Sequence, residues 1–279
     1  MSFRRAIAVA PGSRVRLDAI DPSDTGKHGS EDEAQATIAE DLARLAKLQY
    51  RLYAENERSL LIVLQAPDAG GKDGTIRHVF GALNPQGASV QAFKVPTAEE
   101  AAHDFLWRIH AATPGRGRIV IFNRSHYEDV LVPRVHHTVP KETIAKRYDR
   151  INEFEKNLVQ AGTLILKFYL HISADEQLQR FEARLEDPHK QWKISEADYA
   201  ERAYWDDYCK AFEDAFERTS TRRAPWFVIP ANHKWFRNLA VARIVTDALD
   251  DLDMKYPKPS VDLEEMRRRF HAAATAAKG

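Results

Sequence analysis

Apolar residues follow two different spacings along the chain. Between Glu31 and Glu55 they recur every three or four positions, which predicts an amphipathic helix that covers a core. Short continuous runs rich in leucine, isoleucine and valine follow, and such runs predict strands that are buried on both faces. The runs are Ser59–Gln65, Arg118–Asn123, Thr163–Ser173 and Trp226–Ala231, with Ser89–Pro96 as a fifth candidate strand.

Helical stretches separate the predicted strands. Two further apolar stripes, one starting at Ile144 and one at Tyr204, continue at helical spacing, and we expect both to face the core. This alternation predicts an α/β fold in which helices cover both faces of a parallel sheet. No internal repeat is present, so we expect one domain over residues 31–255, between an N-terminal extension (1–30) and a C-terminal tail (256–279).

Composition narrows the possible functions. The 41 Lys and Arg residues balance the 41 Asp and Glu residues, and 44% of the chain is hydrophobic. These values exclude a disordered chain and argue against a general nucleic-acid binder, which usually carries a basic excess. The single cysteine, Cys209, excludes an internal disulfide framework. No apolar run suits a signal peptide or a membrane span, so we expect a cytoplasmic protein that binds neither nucleic acid nor membrane.

A glycine loop directly follows the first predicted strand. Gly70 and Gly71 allow a tight turn, and a helical run begins just after them. A strand, a glycine loop and a helix N-terminus together present backbone N–H groups to a phosphate, and Lys72 adds a positive charge. The loop therefore predicts a phosphate site. The alternative is a simple Gly-Gly turn before an ordinary helix.

The loop departs from the phosphate-loop pattern G-x-x-x-x-G-K-[ST] at two positions. Ala66 stands at the first glycine, and Asp73 stands where a Ser or Thr hydroxyl normally holds magnesium. We therefore expect Asp68 or Thr75 to replace that hydroxyl.

Polar residues also follow the strand that ends at Asn123. We expect Asn123 to ligate or orient a metal-bound water, Arg124 to neutralise phosphate, and Glu128 and Asp129 to lie within reach of a metal or acceptor. For Asp129 a solvated loop position is the favoured interpretation.

After the longest strand, Arg180 and Arg184 share one helix face, and Lys190 and Lys193 follow. This segment predicts a basic lid over the phosphate, or alternatively a salt-bridged surface helix.

Four motifs, in order, resemble the polyphosphate kinase 2 family between Glu31 and Asp253. They read LQAPDAGGKDGT, FNRSHYEDVLVPRVH, RFEARLEDPHKQWK and APWFVIPANHKWFRN, and the second is similar to the class III branch. The resemblance implies a phosphate-loop (Walker A) kinase fold with a helical lid at about residues 180–200. It also implies magnesium, and phosphoryl transfer between inorganic polyphosphate and AMP, ADP or ATP by a homodimer or homotetramer.

By motif position, the resemblance implies roles for individual residues. The catalytic set is Asp68, Lys72, Asn123, Arg124 and Arg184. Asp68 and Asn123 would hold the metal. The residues that would bind phosphate or acceptor are Gly70, Gly71, Asp73, Gly74, Thr75, Glu128, Arg134, Arg180 and Lys190.

Two other functions stay open at this point. A nucleoside or nucleotide monophosphate kinase that takes ATP as donor would carry a similar loop and arginine lid. A non-catalytic binding module with a phosphate-loop-like site would explain the missing Ser/Thr and the neutral Asn123.

Overall fold

The computed structural model describes residues 7–277. The first six residues of the predicted N-terminal extension and the last two of the predicted tail lie outside this range. The five strands are β1 (Ser59–Gln65), β2 (Ala88–Ala92), β3 (Ile119–Asn123), β4 (Thr163–His171) and β5 (Trp226–Pro230). The α-helices are α1 (Glu31–Glu55), α2 (Lys72–Thr75), α3 (Ala98–Ala102), α4 (Trp107–Ala111), α5 (Glu128–Val135), α6 (Lys141–Gln160), α7 (Ala174–Glu186), α8 (Glu196–Glu201), α9 (Trp205–Thr219), α10 (Lys234–Asp250) and α11 (Leu263–Ala276).

All five strands pair in parallel, in the order β2-β3-β1-β4-β5. The chain leaves the central strand β1 toward one side of the sheet, for β2 and β3, and then crosses to the other side for β4 and β5. Ligands bind at such a reversal of strand order, outside the carboxyl ends of the strands. The loops after β1, β3 and β4 therefore mark the expected site.

Helices cover both faces of the sheet. Helices α1 and α10 pack on one face, where residues such as Leu45, Leu52 and Ile244 form a buried cluster with the β1 side chains. Helices α5, α6 and α9 form the other cluster, which includes Ile151 and Phe216. The predicted α/β fold with a doubly covered parallel sheet is thus confirmed.

Local sequence signals set the ends of key helices. The Ser30 side chain accepts a hydrogen bond from the Glu33 N–H at the start of α1, and Asn56 ends this helix in the left-handed conformation. Ser173 caps α7 in the same way as Ser30 caps α1. Beyond α7, a short 3₁₀ turn (Gln191–Lys193) and α8 complete the predicted helical lid.

Two expectations about the elements need correction. The fifth predicted strand ends at Ala92 and does not reach Pro96, because β2 pairs only with β3 and that strand itself ends at Asn123. Tyr204 was expected in the core but is 38% exposed. It lies in a turn before α9 and packs against the ring of His136.

The described part of the predicted N-terminal extension packs along the edge of β5. Val9 donates its N–H to the Trp226 carbonyl, and Leu17 is buried. At the other end of the chain, α11 contains no buried residue. The division into extension, domain and tail stays a prediction. Among residues 7–277, no helix combines the length and the apolar composition that crossing a bilayer requires.

Candidate functional site

The glycine loop is a tight turn between β1 and α2. Gly70 donates its N–H to the Pro67 carbonyl at 2.9 Å, and a Cβ on Gly70 would come within 2.8 Å of that same oxygen. Gly71 has a φ of +103°, which side chains rarely tolerate. The two glycines are therefore required by the turn.

Lys72 folds back over this loop. Its Nζ donates to the Ala66 carbonyl at 3.0 Å, and desolvation lowers the pKa of its ammonium although Asp68 opposes that shift. Thr75 is fully buried, and its hydroxyl donates to the Gly71 carbonyl at 3.1 Å. Of the two expected replacements for the missing hydroxyl, these contacts favour Asp68 over Thr75 as a metal ligand.

The polar loop after β3 meets the glycine loop through two side-chain contacts. Register places Asn123 beside Leu64 at the end of β1. The Asn123 Nδ2 donates to Asp73 Oδ1 at 2.9 Å, and the Arg124 guanidinium contacts Asp68 Oδ1 at 2.9 Å. Arg124 has a φ of +62°, and such strain in a residue other than glycine clusters at functional sites.

The lid also contacts the glycine loop, at Asp73. Lys193 Nζ lies 3.0 Å from Asp73 Oδ2. Burial alone would raise the pKa of Asp73, but its hydrogen bonds with Lys193 and Asn123 hold that pKa below its usual value. Asp73 therefore connects the glycine loop, the β3 loop and the lid, and it stays ionised there.

Arg184 is held within the lid. Its Nη1 lies 3.4 Å from Asp198 Oδ2, and its guanidinium packs against the Phe181 ring. Burial, together with the charge of Asp68, raises the pKa of Asp198. Asp198 therefore holds Arg184 within the lid.

Arg180 is oriented differently from Arg184, although the two lie on one helix. It is 9% exposed and bonds Glu176 at 2.7 Å. Its Nη1 donates to the Ala69 carbonyl at 2.9 Å, and its Nη2 donates to the Ala231 carbonyl at 2.6 Å. These contacts place Arg180 beneath the glycine loop, where it holds the backbone of that loop and the backbone after β5 in position.

Glu128 lies at the start of α5 and is oriented by the last residue of β1. Gln65 is buried and donates its Nε2 to Glu128 Oε1 at 2.8 Å. The hydroxyl of Ser125 also donates to Gln65 Oε1 at 3.2 Å.

The prediction that Asp129 is a solvated loop residue is wrong. The side chain of Asp129 is 18% exposed, and burial raises its pKa in spite of Arg108.

A buried polar cluster supports the β3 loop from below. Lys167 of β4 is fully buried, and its Nζ lies 2.6 Å from Glu155 Oε2. The same ammonium donates to the Tyr127 hydroxyl at 2.9 Å and to the Thr219 carbonyl at 2.7 Å. Tyr127 also donates to Glu155 at 2.8 Å. Because Tyr127 lies in the loop that carries Arg124, this cluster fixes the loop to β4, α6 and α9.

Two of the predicted phosphate contacts, Arg134 and Lys190, pair with acidic residues outside the glycine loop. Lys190 is paired with Asp187 at 2.6 Å and is more than half exposed. Arg134, at the end of α5, pairs with Asp214. It borders a surface cavity of about 420 Å³ that is also lined by Lys141, Lys210, Arg218, Asp207 and Asp214.

The residues present fit a magnesium ion that is only partly held by protein. In the described residues, no three His, Cys, Asp or Glu side chains come together as a metal site. Mg²⁺ needs no such cluster, since it usually keeps several waters and takes one or two carboxylates together with substrate phosphates. Asp68 supplies a carboxylate at the loop. Because the Asn123 nitrogen is bonded to Asp73, Asn123 would contribute through its amide oxygen.

Sequence reasoning missed several residues of this site. Gln65 directly precedes the glycine loop, but its spacing gave no sign that it would contact Glu128. Asp198 could not be assigned, because only the fold brings it to Arg184. Lys167 did carry a signal, as it is the one Lys or Arg inside the apolar run Thr163–Ser173. A lone charge in a buried strand indicates a buried partner.

The loop after β1, the polar loop after β3 and the basic lid after β4 define the class, an α/β phosphate-loop kinase-like protein. The family model described as polyphosphate kinase 2 (PPK2) matches residues 28–257. The chain belongs to the polyphosphate kinase 2 family, as the sequence motifs predicted.

Individual relatives agree with this assignment over nearly the whole chain. An AMP/ADP-polyphosphate phosphotransferase of Meiothermus ruber is 51% identical over 259 residues, which cover 92% of this chain and 97% of the relative. An ADP-polyphosphate phosphotransferase of Rhodopseudomonas palustris is 42% identical and covers 94% and 96%. The crystal structure of polyphosphate kinase 2 from Arthrobacter aurescens TC1 superposes with a TM-score of 0.94 at 46% identity, and covers 98% and 97%.

Proposed function

We propose that this protein transfers phosphoryl groups between inorganic polyphosphate and nucleotides, converting AMP to ADP and ADP to ATP with Mg²⁺. The observation that carries the proposal is the meeting of three loops at one point, through the Asp68–Arg124 and Asp73–Asn123–Lys193 contacts. Phosphoryl transfer depends on positioning and charge neutralisation more than on covalent catalysis, and these groups supply both. The names of the two relatives support the choice of donor and acceptors.

Each group in the site has a defined task in this proposal. The N–H groups at the start of α2 and the ammonium of Lys72 bind the phosphoryl group that is transferred. Arg124 and the lid residue Arg184 neutralise the charge that develops on it, and the lid excludes water. Magnesium, when bound at Asp68 and Asn123, would screen the phosphate oxygens. Glu128, oriented by Gln65, faces the acceptor.

The cavity beside Arg134 favours polyphosphate over ATP as the donor. Four basic side chains line it against two acidic ones. Helix α5 connects it to the site, since this helix begins at Glu128 and reaches Arg134 about 9 Å further on at 1.5 Å per residue. A long polyanion held at the glycine loop could extend along this helix, whereas an ATP donor would need a pocket for a second base.

The proposal is tested by incubating the protein with Mg²⁺ and either AMP or ADP, with polyphosphate or ATP as donor, and separating the products by chromatography. We expect ADP first and ATP later from AMP with polyphosphate, and ATP from ADP. Lys72→Ala and Asp68→Asn should each lower turnover by orders of magnitude while the circular dichroism spectrum stays unchanged. Transfer from ATP alone would favour the ATP-dependent kinase, and absence of any turnover would favour the binding module.

The proposed path for the donor has its own test. A double variant Lys141→Ala/Lys210→Ala should raise the KM for long-chain polyphosphate and leave the KM for tripolyphosphate unchanged, because the short donor does not reach the cavity. Equal effects on both donors would contradict the path along α5 but not the reaction itself. A cytoplasmic location and a homodimer or homotetramer remain predictions, and sedimentation velocity would test the second.

A further inference from the structure

Arg237, in the first turn of α10, is a buried arginine in contact with the glycine loop. It is 3% exposed. A Cβ built on Gly71 would overlap its Nη1, and a Cβ on Gly74 would come within 3.1 Å of its Nη2. The guanidinium therefore packs against the backbone at the start of α2, where the loop is expected to hold phosphate. No role was assigned to it from the sequence.

Within residues 7–277, the charge of Arg237 has no carboxylate partner. In the part of the chain that the structure describes, its only hydrogen-bond acceptor is Oδ1 of the adjacent Asn238, bonded by Nε and Nη2. Burial, and then the guanidinium of Arg180, lower the pKa of Arg237 to about 10, so the group remains charged at neutral pH. The other arginines and the lid lysine at this site each have an acid. The pairs are Arg124–Asp68, Arg180–Glu176, Arg184–Asp198 and Lys193–Asp73.

A buried cation without a counter-charge destabilises a fold, since no attraction to an opposite charge offsets its desolvation. Such a group persists where function requires it, because stability is commonly lost at binding sites. An anion bound by the glycine loop would lie close to this guanidinium and would supply the missing charge. Resting on the function proposed above, we propose that Arg237 is the charge partner of the phosphoryl anion bound by the glycine loop, and that it positions this anion from beneath the loop.

The opposite interpretation is that Arg237 only fills space under Gly71 and Gly74. The two interpretations predict opposite changes when the charge is removed and the length is kept, as in Arg237→Met. A space-filling role predicts a lower melting temperature without ligand and an unchanged response to ligand. A charge partner predicts an equal or higher melting temperature without ligand and a weakened response, because ligand binding to the folded state raises stability in proportion to its affinity.

The experiment compares the full-length wild type with Arg237→Met and with a control, Arg243→Met. Arg243 lies on the same helix but is paired with the buried Asp41 at 2.7 Å. Melting temperatures are measured with and without inorganic tripolyphosphate and Mg²⁺ at matched ionic strength, and calorimetry gives the dissociation constant of tripolyphosphate. We expect Arg237→Met to keep its melting temperature without ligand and to bind at least fivefold more weakly. The control should melt lower and bind normally.

The dissociation constant decides the outcome. A weakening of less than fivefold in Arg237→Met, or a wild type that does not bind tripolyphosphate, overturns the inference. If Arg237→Met does not fold, Arg237→Gln is measured by the same criterion. Binding is measured without an acceptor nucleotide, so a protein that binds tripolyphosphate through Arg237 but transfers nothing would refute the proposed reaction alone.

Discussion

The buried ion pair between Lys167 and Glu155 makes a quantitative prediction about stability and about the site above it. Both side chains are at most 3% exposed, and their atoms lie 2.6 Å apart. Burial alone would raise the pKa of Glu155, but Lys167 and the hydrogen bond from His126 more than offset this, so the pKa lies below its usual value. Removing either partner therefore leaves a buried charge without its counter-ion.

The expected magnitude follows from that geometry. At 2.6 Å and an effective dielectric constant of about 20, the attraction is about 6 kcal/mol, a value that the desolvation of two buried ions largely cancels. Replacing both partners should therefore cost much less than the sum of the single changes. We expect Lys167→Met and Glu155→Gln each to lower the free energy of unfolding by about 3–5 kcal/mol. The double variant should recover at least about 2 kcal/mol of the summed loss.

Urea unfolding of the wild type, both single variants and the double variant gives this coupling energy. The exposed pair Arg150–Glu153 on the same helix α6 supplies the control, and Glu153→Gln should change stability by under about 1 kcal/mol. Because Lys167 also holds Tyr127, turnover of Lys167→Met should fall even where it is fully folded. Single-variant effects that add within about 0.5 kcal/mol would refute the reasoning, as would unchanged turnover.

Three further predictions concern the lid, the glycine loop and the N-terminal segment. Arg184→Ala should lower kcat and raise the KM for polyphosphate at least tenfold in steady-state assays; a loss of stability with unchanged kinetics would mean that Arg184 only braces Asp198. Gly71→Ala should cost about 1–3 kcal/mol in thermal unfolding and lower turnover, because of its φ of +103°, whereas Gly115→Ala, with open space around it, should be neutral. Burial lowers the pKa of His171, whose Nε2 lies 3.1 Å from the Ile20 carbonyl. Its neutral form therefore stabilises the fold fully above about pH 6.5, and this stabilisation is lost as the pH falls below that value. The urea midpoint of His171→Gln should therefore change less between pH 5 and 8 than the wild-type midpoint does.

The fold could be predicted from the sequence because its signals are local. Continuous apolar strands, the stripe from Glu31 to Glu55 and the Ser and Asn caps each act within a few residues. The end of β2 could not be predicted, since the strand stops where its partner β3 stops and not where its own sequence changes.

The residues of the site also fall into two groups, those with a local sequence signal and those without one. Asp68, Lys72, Asn123 and Arg124 were found because they directly follow strands whose order places their ends together. The partners Gln65, Asp198 and Arg237 are defined by three-dimensional proximity, which spacing along the chain does not encode. Arg180 and Arg184 illustrate the difference. They share a helix face, but a single turn separates a residue that bonds backbone beneath the loop from one held in the lid.

The anchorage of Arg180 has a consequence for building hybrid enzymes by segment exchange. This side chain fastens the first half of α7 to the Ala69 carbonyl and to the Ala231 carbonyl after β5. A graft that replaces residues 187–200 would cut the chain beyond these bonds, and its donor would have to keep only the pairing of Lys193 with Asp73 and of Asp198 with Arg184. A graft that starts at Ala174 would instead have to import a matching glycine loop and a matching β5 turn from the same donor. Crossover points in this family should therefore be placed after Glu186.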